Sequence, residues 1–370
     1  MLTVVLIAIA TTVYMHFGGQ TSVIFTDLIQ GFILIFAGLL LFSLGLNFLV
    51  ENTSYSSGLK ALWENLSPLE KLPLANFNSP PDFNFVGIFW QDGIAGSIGF
   101  LFLNQGLIMR FMAARSVNEG RKAAAFNVLV ILPISAIVVS NAGWIGKAIT
   151  NTVPGALPLD LAPNDVFVSV ANLITSPGVF GFIIAALCAA LMSTSDTLVN
   201  ASSSVIINDI YRPLTKNKSS DKEQLRLARL ASVVVKVIAV CLVPFFNSFE
   251  SIYEAHGWFH STFTPPLVVG VFLGIFWKRF TSTAVITTFI GGAFLMVLGQ
   301  IYPSLVSPFS HGIELRPGRG YSYIGALYNL FVCAGVGVVV TFFTKPVSET
   351  KLTGLTVFDV YKLKNKINDR

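Results

Sequence analysis

Ala185-Ala-Leu-Cys-Ala-Ala-Leu-Met-Ser-Thr-Ser-Asp-Thr-Leu-Val-Asn-Ala-Ser-Ser-Ser204 puts a carboxylate and a run of hydroxyls inside a stretch that otherwise reads as a membrane-spanning helix. At about 100° per residue, Ser193, Asp196, Thr197, Asn200 and Ser204 fall within roughly a third of the helix circumference, and Ala186, Ala189 and Ala190 continue that face. One side of the helix is therefore small and oxygen-rich. Polar groups in hydrocarbon are costly and tend to be functional. Hard cations such as Na⁺ take hydroxyl, carbonyl and carboxylate oxygens, and small residues let a second helix approach closely enough to supply more of them. The same hydroxyls can instead bond back to their own helix or join two helices. Both readings stay open, with Asp196 carrying the weight of the ion reading.

The rest of the chain has the same apolar character. Of its 370 residues, 53% are hydrophobic and 12% charged, and the mean hydropathy is +0.70. That leaves too little polar surface for a soluble domain of this length and implies an all-α polytopic membrane protein. Runs able to cross about 30 Å of hydrocarbon recur throughout. Nine are expected, near Leu2–Phe17, Val23–Val50, Phe85–Met109, Ala123–Gly146, Val179–Asn208, Leu230–Phe246, Glu254–Trp277, Ala284–Tyr302 and Tyr323–Phe343. They form one transmembrane domain over 1–345, followed by a basic tail over 346–370.

Lys and Arg gather in cytoplasmic loops, so their positions fix the orientation. Arg110, Arg115, Arg121 and Lys122 follow the third run, Arg212, Lys216, Lys218, Lys222, Arg226 and Arg229 the fifth, and Lys278 and Arg279 the seventh. Lys345 follows the last run and Lys351, Lys362, Lys364, Lys366 and Arg370 fill the tail, so the C-terminus is expected inside a plasma (inner) membrane. Lys236 stands apart within a span. The net charge of +5 is thus a topological signal and gives no support to a nucleic-acid partner. With nine crossings Met1 falls outside, although nothing before it could have carried it there. The first run is also short and lacks the charged leader and cleavage site of a signal peptide. The expectation is a C-terminal portion of a longer transporter.

Other polar groups punctuate the spans. Asp27, Gln30 and Gly31 share a face at i, i+3 and i+4, where an acid can also serve as a helix N-terminal charge. The third run carries Gln91, Asp92, Ser97, Asn104 and Gln105 beside Gly93, Gly96 and Gly99, which suits a solvated cavity or close helix packing. His256-Gly-Trp-Phe-His-Ser-Thr-Phe-Thr-Pro-Pro266 frees backbone carbonyls that neighbours or water must satisfy. His256 and His260 have the i, i+4 spacing of a zinc helix, but Gly257 stands where the metalloprotease motif needs Glu. Cys188, Cys241 and Cys333 are isolated in apolar runs and read as structural. The outer loop Glu51–Asp82, with Pro68, Pro73, Pro80, Pro81 and the aromatics Tyr55, Trp63 and Phe77, reads as an ordered or interfacial lid. The loop Lys147–Pro177 is expected to hold a short helix over Ala162–Ile174. No Walker phosphate loop and no Ser-His-acid constellation can be assembled, so neither an ATP-driven pump nor a hydrolase is expected.

Four stretches in order resemble the sodium:solute symporter family: His16–Gly31, Asn104–Val117, Ala190–Leu198 leading to Asn208–Pro213, and Gly270–Lys278. The resemblance implies an inverted-repeat transporter core of ten helices, of which the first are missing here, with solute and ions near the midplane. It implies Na⁺ as the coupling ion, no other cofactor and no enzymatic activity. A main sodium site would take the Ala190 carbonyl and the Ser193 and Thr194 hydroxyls. A second site, present in some members, would take Asp27, Asp196 and Thr197, with the two carboxylates approaching one another. Substrate-facing positions fall at Ser97 and Phe100 and around Gly257 to Ser261, including His260. An asparagine and a tyrosine stand at the first two places in the sugar carriers, which puts a sugar in doubt. The expected function is sodium-coupled symport of a small organic solute. The alternatives are a proton-coupled or facilitative carrier of the same fold, or a membrane-embedded metal-dependent enzyme or sensor using His256 and His260.

Overall fold

The computed structural model describes residues 2–68, 70–71, 85–216, 219–249, 251–312 and 322–359, without the side chains of 16, 20, 322 and 323. Pro73, Phe77, Pro80, Pro81, Lys218, Arg316, Arg319 and the tail residues Lys362, Lys364, Lys366 and Arg370 lie outside them.

Among the described residues, eight helices are long and apolar enough to cross a membrane. We label the helix Leu2–Glu51 α1; its later limb, Thr21–Glu51, is the first of the eight. The others are α2 (Phe85–Leu103), α3 (Val117–Thr152), α4 (Pro177–Leu214), α5 (Asp221–Phe246), α6 (Ile252–Phe276), α7 (Ser282–Ile301) and α8 (Ile324–Phe343). The ninth expected span is the shorter apolar limb Leu2–Met15 of α1. The limbs meet at Gly19, whose φ of 58° and ψ of −150° break the helix where only glycine is unstrained.

Polar starts set the helix ends. Ser116, Ser220 and Ser251 each accept a hydrogen bond from the backbone N–H three residues on, at Glu119, Glu223 and Glu254, so α3, α5 and α6 open on Ser-x-x-Glu. These caps lie outside the apolar runs, which is why α3 and α5 extend well beyond the expected spans. The third run departs from expectation in another way. Asn104, with ψ near 104°, ends α2, and the residues expected to continue it form a separate short helix, Gln105–Met112.

The span region consists of two compact units, residues 1–72 with 105–248 and residues 73–104 with 249–370. In the first, α1 packs against α3 and α4, and α5 packs on α4. Contact with α3 is close because Gly38 and Gly45 leave room for Val138 and Ile145, where a Cβ would fall 2.2 and 2.4 Å from their side chains. Asn141 of α3 donates to the Gly38 carbonyl at 3.0 Å. Buried Leu49, Ile145, Ile149 and Val170 form one core cluster, and Leu41 and Ile183 anchor another. The expected helix of the Lys147–Pro177 loop forms as a 3₁₀ turn at Pro163–Asp165 followed by Val166–Ile174.

In the second unit, α8 packs against α6 and α7. Pro265 and Pro266 cannot donate to the carbonyls of Ser261 and Thr262, and α6 breaks into Ile252–Thr262 and Thr264–Phe276. Asn329 of α8, fully buried, repairs both losses: its amide donates to each carbonyl at 2.9 Å. The glycines of α2 serve close packing at Gly99, where a Cβ would meet the Thr264 methyl at 2.4 Å.

Candidate functional site

In the first unit the short helix Gln105–Met112 lies on α4 and carries Arg110 toward α1. Arg110 forms an ion pair with Asp27 through Nη2 and Oδ2, and the same nitrogen donates to Thr197 Oγ1 at 2.5 Å. Ser193 Oγ donates to the other Asp27 oxygen at 2.6 Å. Thr197 Oγ1 lies 3.4 Å from Asp27 Oδ2 and 3.0 Å from the Ser193 carbonyl. A carboxylate, two hydroxyls and a guanidinium therefore share one site, with Asp27 12% and Arg110 29% exposed. Partial exposure matters here, because an ion can reach the carboxylate without unfolding the helix pair.

The sequence grouping of oxygen ligands is redistributed. Ser193 and Thr197, at i and i+4, face Asp27, but Asp196 lies about 100° round the helix from Thr197 and faces elsewhere. It is fully buried and pairs with Lys236 of α5, 3.2 Å from Oδ1. Lys236 also donates to Thr11 on the first limb of α1. Asp196 Oδ2 has no partner among the described residues. The expected approach of Asp27 and Asp196 is thus replaced by two ion pairs, each acid holding its own cation. Ala190 and Thr194 remain together, the Thr194 hydroxyl bonding the Ala190 carbonyl at 3.1 Å on an exposed part of α4. Ser193, expected beside them as a ligand, bonds Asp27.

The second unit holds the other candidates. Asp92 accepts from the Tyr253 hydroxyl at 2.5 Å and from Gln91 Nε2 at 3.2 Å. The rings of His256 and His260 are 4.1 Å apart, and His260 Nδ1 lies 3.2 Å from Thr264 Oγ1. Ser97 is exposed and bonds the Asp92 carbonyl at 2.6 Å, and Phe100 is exposed. Ser261 differs. It is fully buried, its hydroxyl donates to the Trp258 carbonyl at 3.0 Å, and it packs near Gly325 of α8. Among the described residues no group of three His, Cys, Asp or Glu could hold a metal, so His256 and His260 lack a third ligand.

Sequence reasoning missed the partners Arg110 and Lys236. Lys236 was legible: a lone lysine within a span needs an acid, and few acids lie in the spans. Arg110 read as a loop charge because α2 was expected to run through Met109, and only the break at Asn104 turns it toward α1.

A bundle of apolar helices with paired charges and clustered oxygens within the spans defines a polytopic α-helical membrane protein of the transporter class. The model of the sodium:solute symporter family matches residues 1–292, and the chain belongs to that family. It is 25% identical over 291 residues to the sodium/glucose cotransporter of Vibrio parahaemolyticus, covering 76% of this chain and 53% of that protein. It is 28% identical over 288 residues to the high-affinity proline transporter PutP of Bacillus subtilis, with coverage of 77% and 56%. The mouse sodium/glucose cotransporter 4 matches at 25% over 388 residues, covering 96% of this chain and 55% of that one. The chain thus spans about half the length of these relatives. Its fold is that of a Na⁺-coupled sialic acid symporter solved in a substrate-bound, outward-open state, with a TM-score of 0.69 at 20% identity, over 93% of this chain and 67% of that one.

Proposed function

We propose that the chain carries a small organic solute across the plasma membrane together with Na⁺, by alternating access, with its C-terminus on the cytoplasmic side. The observation that carries this reading is the Asp27 site. A membrane carboxylate needs a counter-charge, and Arg110 supplies a tethered one. Na⁺ substitutes for it: the ion takes Asp27 and the Ser193 and Thr197 hydroxyls as Arg110 withdraws. The exchange keeps the site neutral. The Ala190 carbonyl and the Thr194 hydroxyl form part of a further sodium site on the same helix. Inward movement of each positive charge supplies about 2.3 kcal/mol per 100 mV.

Ser97, Phe100 and His260 are the solute-facing candidates, and family membership together with the sugar, proline and sialic acid relatives supports a solute of that size. Uptake into vesicles with imposed Na⁺ or proton gradients tests the reading. Accumulation should follow the Na⁺ gradient. Accumulation that follows pH and ignores Na⁺ would make the chain a proton-coupled carrier instead.

A further inference from the structure

A cavity of about 370 Å³ opens in the first unit between the first limb of α1, α4 and α5, and Asp27 is not among the residues that line it. Its polar lining includes Arg229, Lys236, Asn200, Ser203 and Ser232, and among the described residues no Asp or Glu lines it. Lys236 contributes from within the Asp196 pair: an ammonium has three N–H bonds, and the two partners it has here, Thr11 and Asp196, leave one. Arg229 is half-buried and forms no hydrogen bond or ion pair among the described residues. The Asn200 amide likewise has no partner among them. Ser203 and Ser232 lie 2.8 Å apart, one hydroxyl bonding the other. The charged groups of the lining are both cations, and the hydroxyls of Thr12, Ser203, Ser204 and Ser232 and the Asn200 amide supply neutral donors and acceptors beside them.

Charge and shape narrow the ligand. Asp196 pairs with Lys236, so Arg229 is the cation of the lining that has no ion-pair partner among the described residues, which suits a singly charged anion. The volume is that of a small-ligand site. Phe17, Leu225 and Val233 make part of the lining apolar, and all three are exposed, as an acyl chain lying along the helices would require. Arg229 follows the basic loop between α4 and α5, and basic pockets between spans on that side of a membrane receive lipid phosphates. We propose that this cavity binds a phosphate group, that of an anionic phospholipid headgroup, with Arg229 and Asn200 as its principal ligands.

The test is thermal unfolding of the purified full chain in an uncharged detergent, titrated with phosphatidylglycerol, phosphatidylcholine or inorganic phosphate. Phosphatidylglycerol should raise the unfolding midpoint saturably and phosphatidylcholine much less. Arg229→Gln should raise the half-saturating lipid concentration about fivefold, and Arg121→Gln, which removes an exposed charge on α3, should leave it unchanged. Asn200→Ala should weaken binding while removing no charge. If inorganic phosphate alone gives the same saturable, Arg229-dependent shift, the phosphate site stands with a free anion as its source. An unchanged titration in Arg229→Gln, or in Asn200→Ala should Arg229→Gln fail to fold, overturns the proposal. So does an equal loss in Arg121→Gln, which would mean unspecific attraction.

Discussion

Asp27 and Asp196 are both membrane carboxylates of the same unit, and each holds a basic side chain, yet their surroundings differ. Asp27 is partly exposed, has two hydroxyls at hand, and pairs with an arginine that is itself 29% exposed. Asp196 is sealed, with 0% exposure against 5% for the Lys236 side chain, and one oxygen has no partner among the described residues. Opening the first pair costs little because oxygen ligands and solvent can replace what is lost. Opening the second strands a charge in low dielectric. The difference separates a partly open pair, which we propose exchanges its arginine for Na⁺, from a buried pair, although both acids look alike in the sequence.

The largest expected effect would break that comparison outright if it failed. Asp196→Ala leaves Lys236 buried and uncompensated and should destabilise the protein by about 3–5 kcal/mol, read as a fall in the thermal unfolding midpoint in detergent. Replacing both partners, Asp196→Leu with Lys236→Met, should recover most of the loss. Asp27→Ala should cost far less, and equal costs for the two alanine variants would erase the distinction.

Next comes Asn329→Leu, a measure of what a buried polar repair is worth where no ion is involved. It orphans the carbonyls of Ser261 and Thr262 and should cost on the order of 2–4 kcal/mol. Ser193→Ala then sharpens the exchangeable side. Removing one hydroxyl from Asp27 should raise the Na⁺ concentration for half-maximal uptake about tenfold, roughly 1.4 kcal/mol, with little change in unfolding.

The smallest effect lies outside the spans, at Glu70. Burial alone would raise its carboxyl pKa. The Ser67 backbone N–H at 2.7 Å, the Ser67 hydroxyl and Lys147 at 3.4 Å outweigh it and hold the group below its ordinary value. A lowered folded-state pKa contributes stability above the unfolded value, lost as pH falls through the folded one. Glu70→Gln should therefore cost less than about 1 kcal/mol at neutral pH and nothing in strong acid. An effect that grows toward low pH would reverse that sign.

Much of the fold was legible because apolar runs in a membrane protein are long and unambiguous: eight of the expected spans form, and the first falls short only in length. Boundaries were less legible where caps such as Ser220 begin a helix before its apolar run. The break at Asn104 had no clear signal, and without it Arg110 could not be paired. At the candidate site, the helical face read from Ser193, Asp196, Thr197, Asn200 and Ser204 put Ser193 and Thr197 together, and both of these meet Asp27. Grouping Asp196 with them failed because about 100° of helix rotation is enough to hand a side chain to a different neighbour. Which neighbour lies there is a matter of packing between helices distant in sequence, and periodicity within one helix carries no such information.

If Na⁺ takes Asp27 in exchange for Arg110, its affinity must respond in opposite directions to the loss of either side chain. Equilibrium binding of radiolabelled Na⁺ to the purified full chain tests it most directly, in the unaltered protein, Asp27→Asn and Arg110→Gln. Binding should weaken at least about tenfold in Asp27→Asn and tighten in Arg110→Gln, where the tethered competitor is gone. Na⁺ binding that is unchanged in Asp27→Asn, or lost in a folded Arg110→Gln protein, would contradict it.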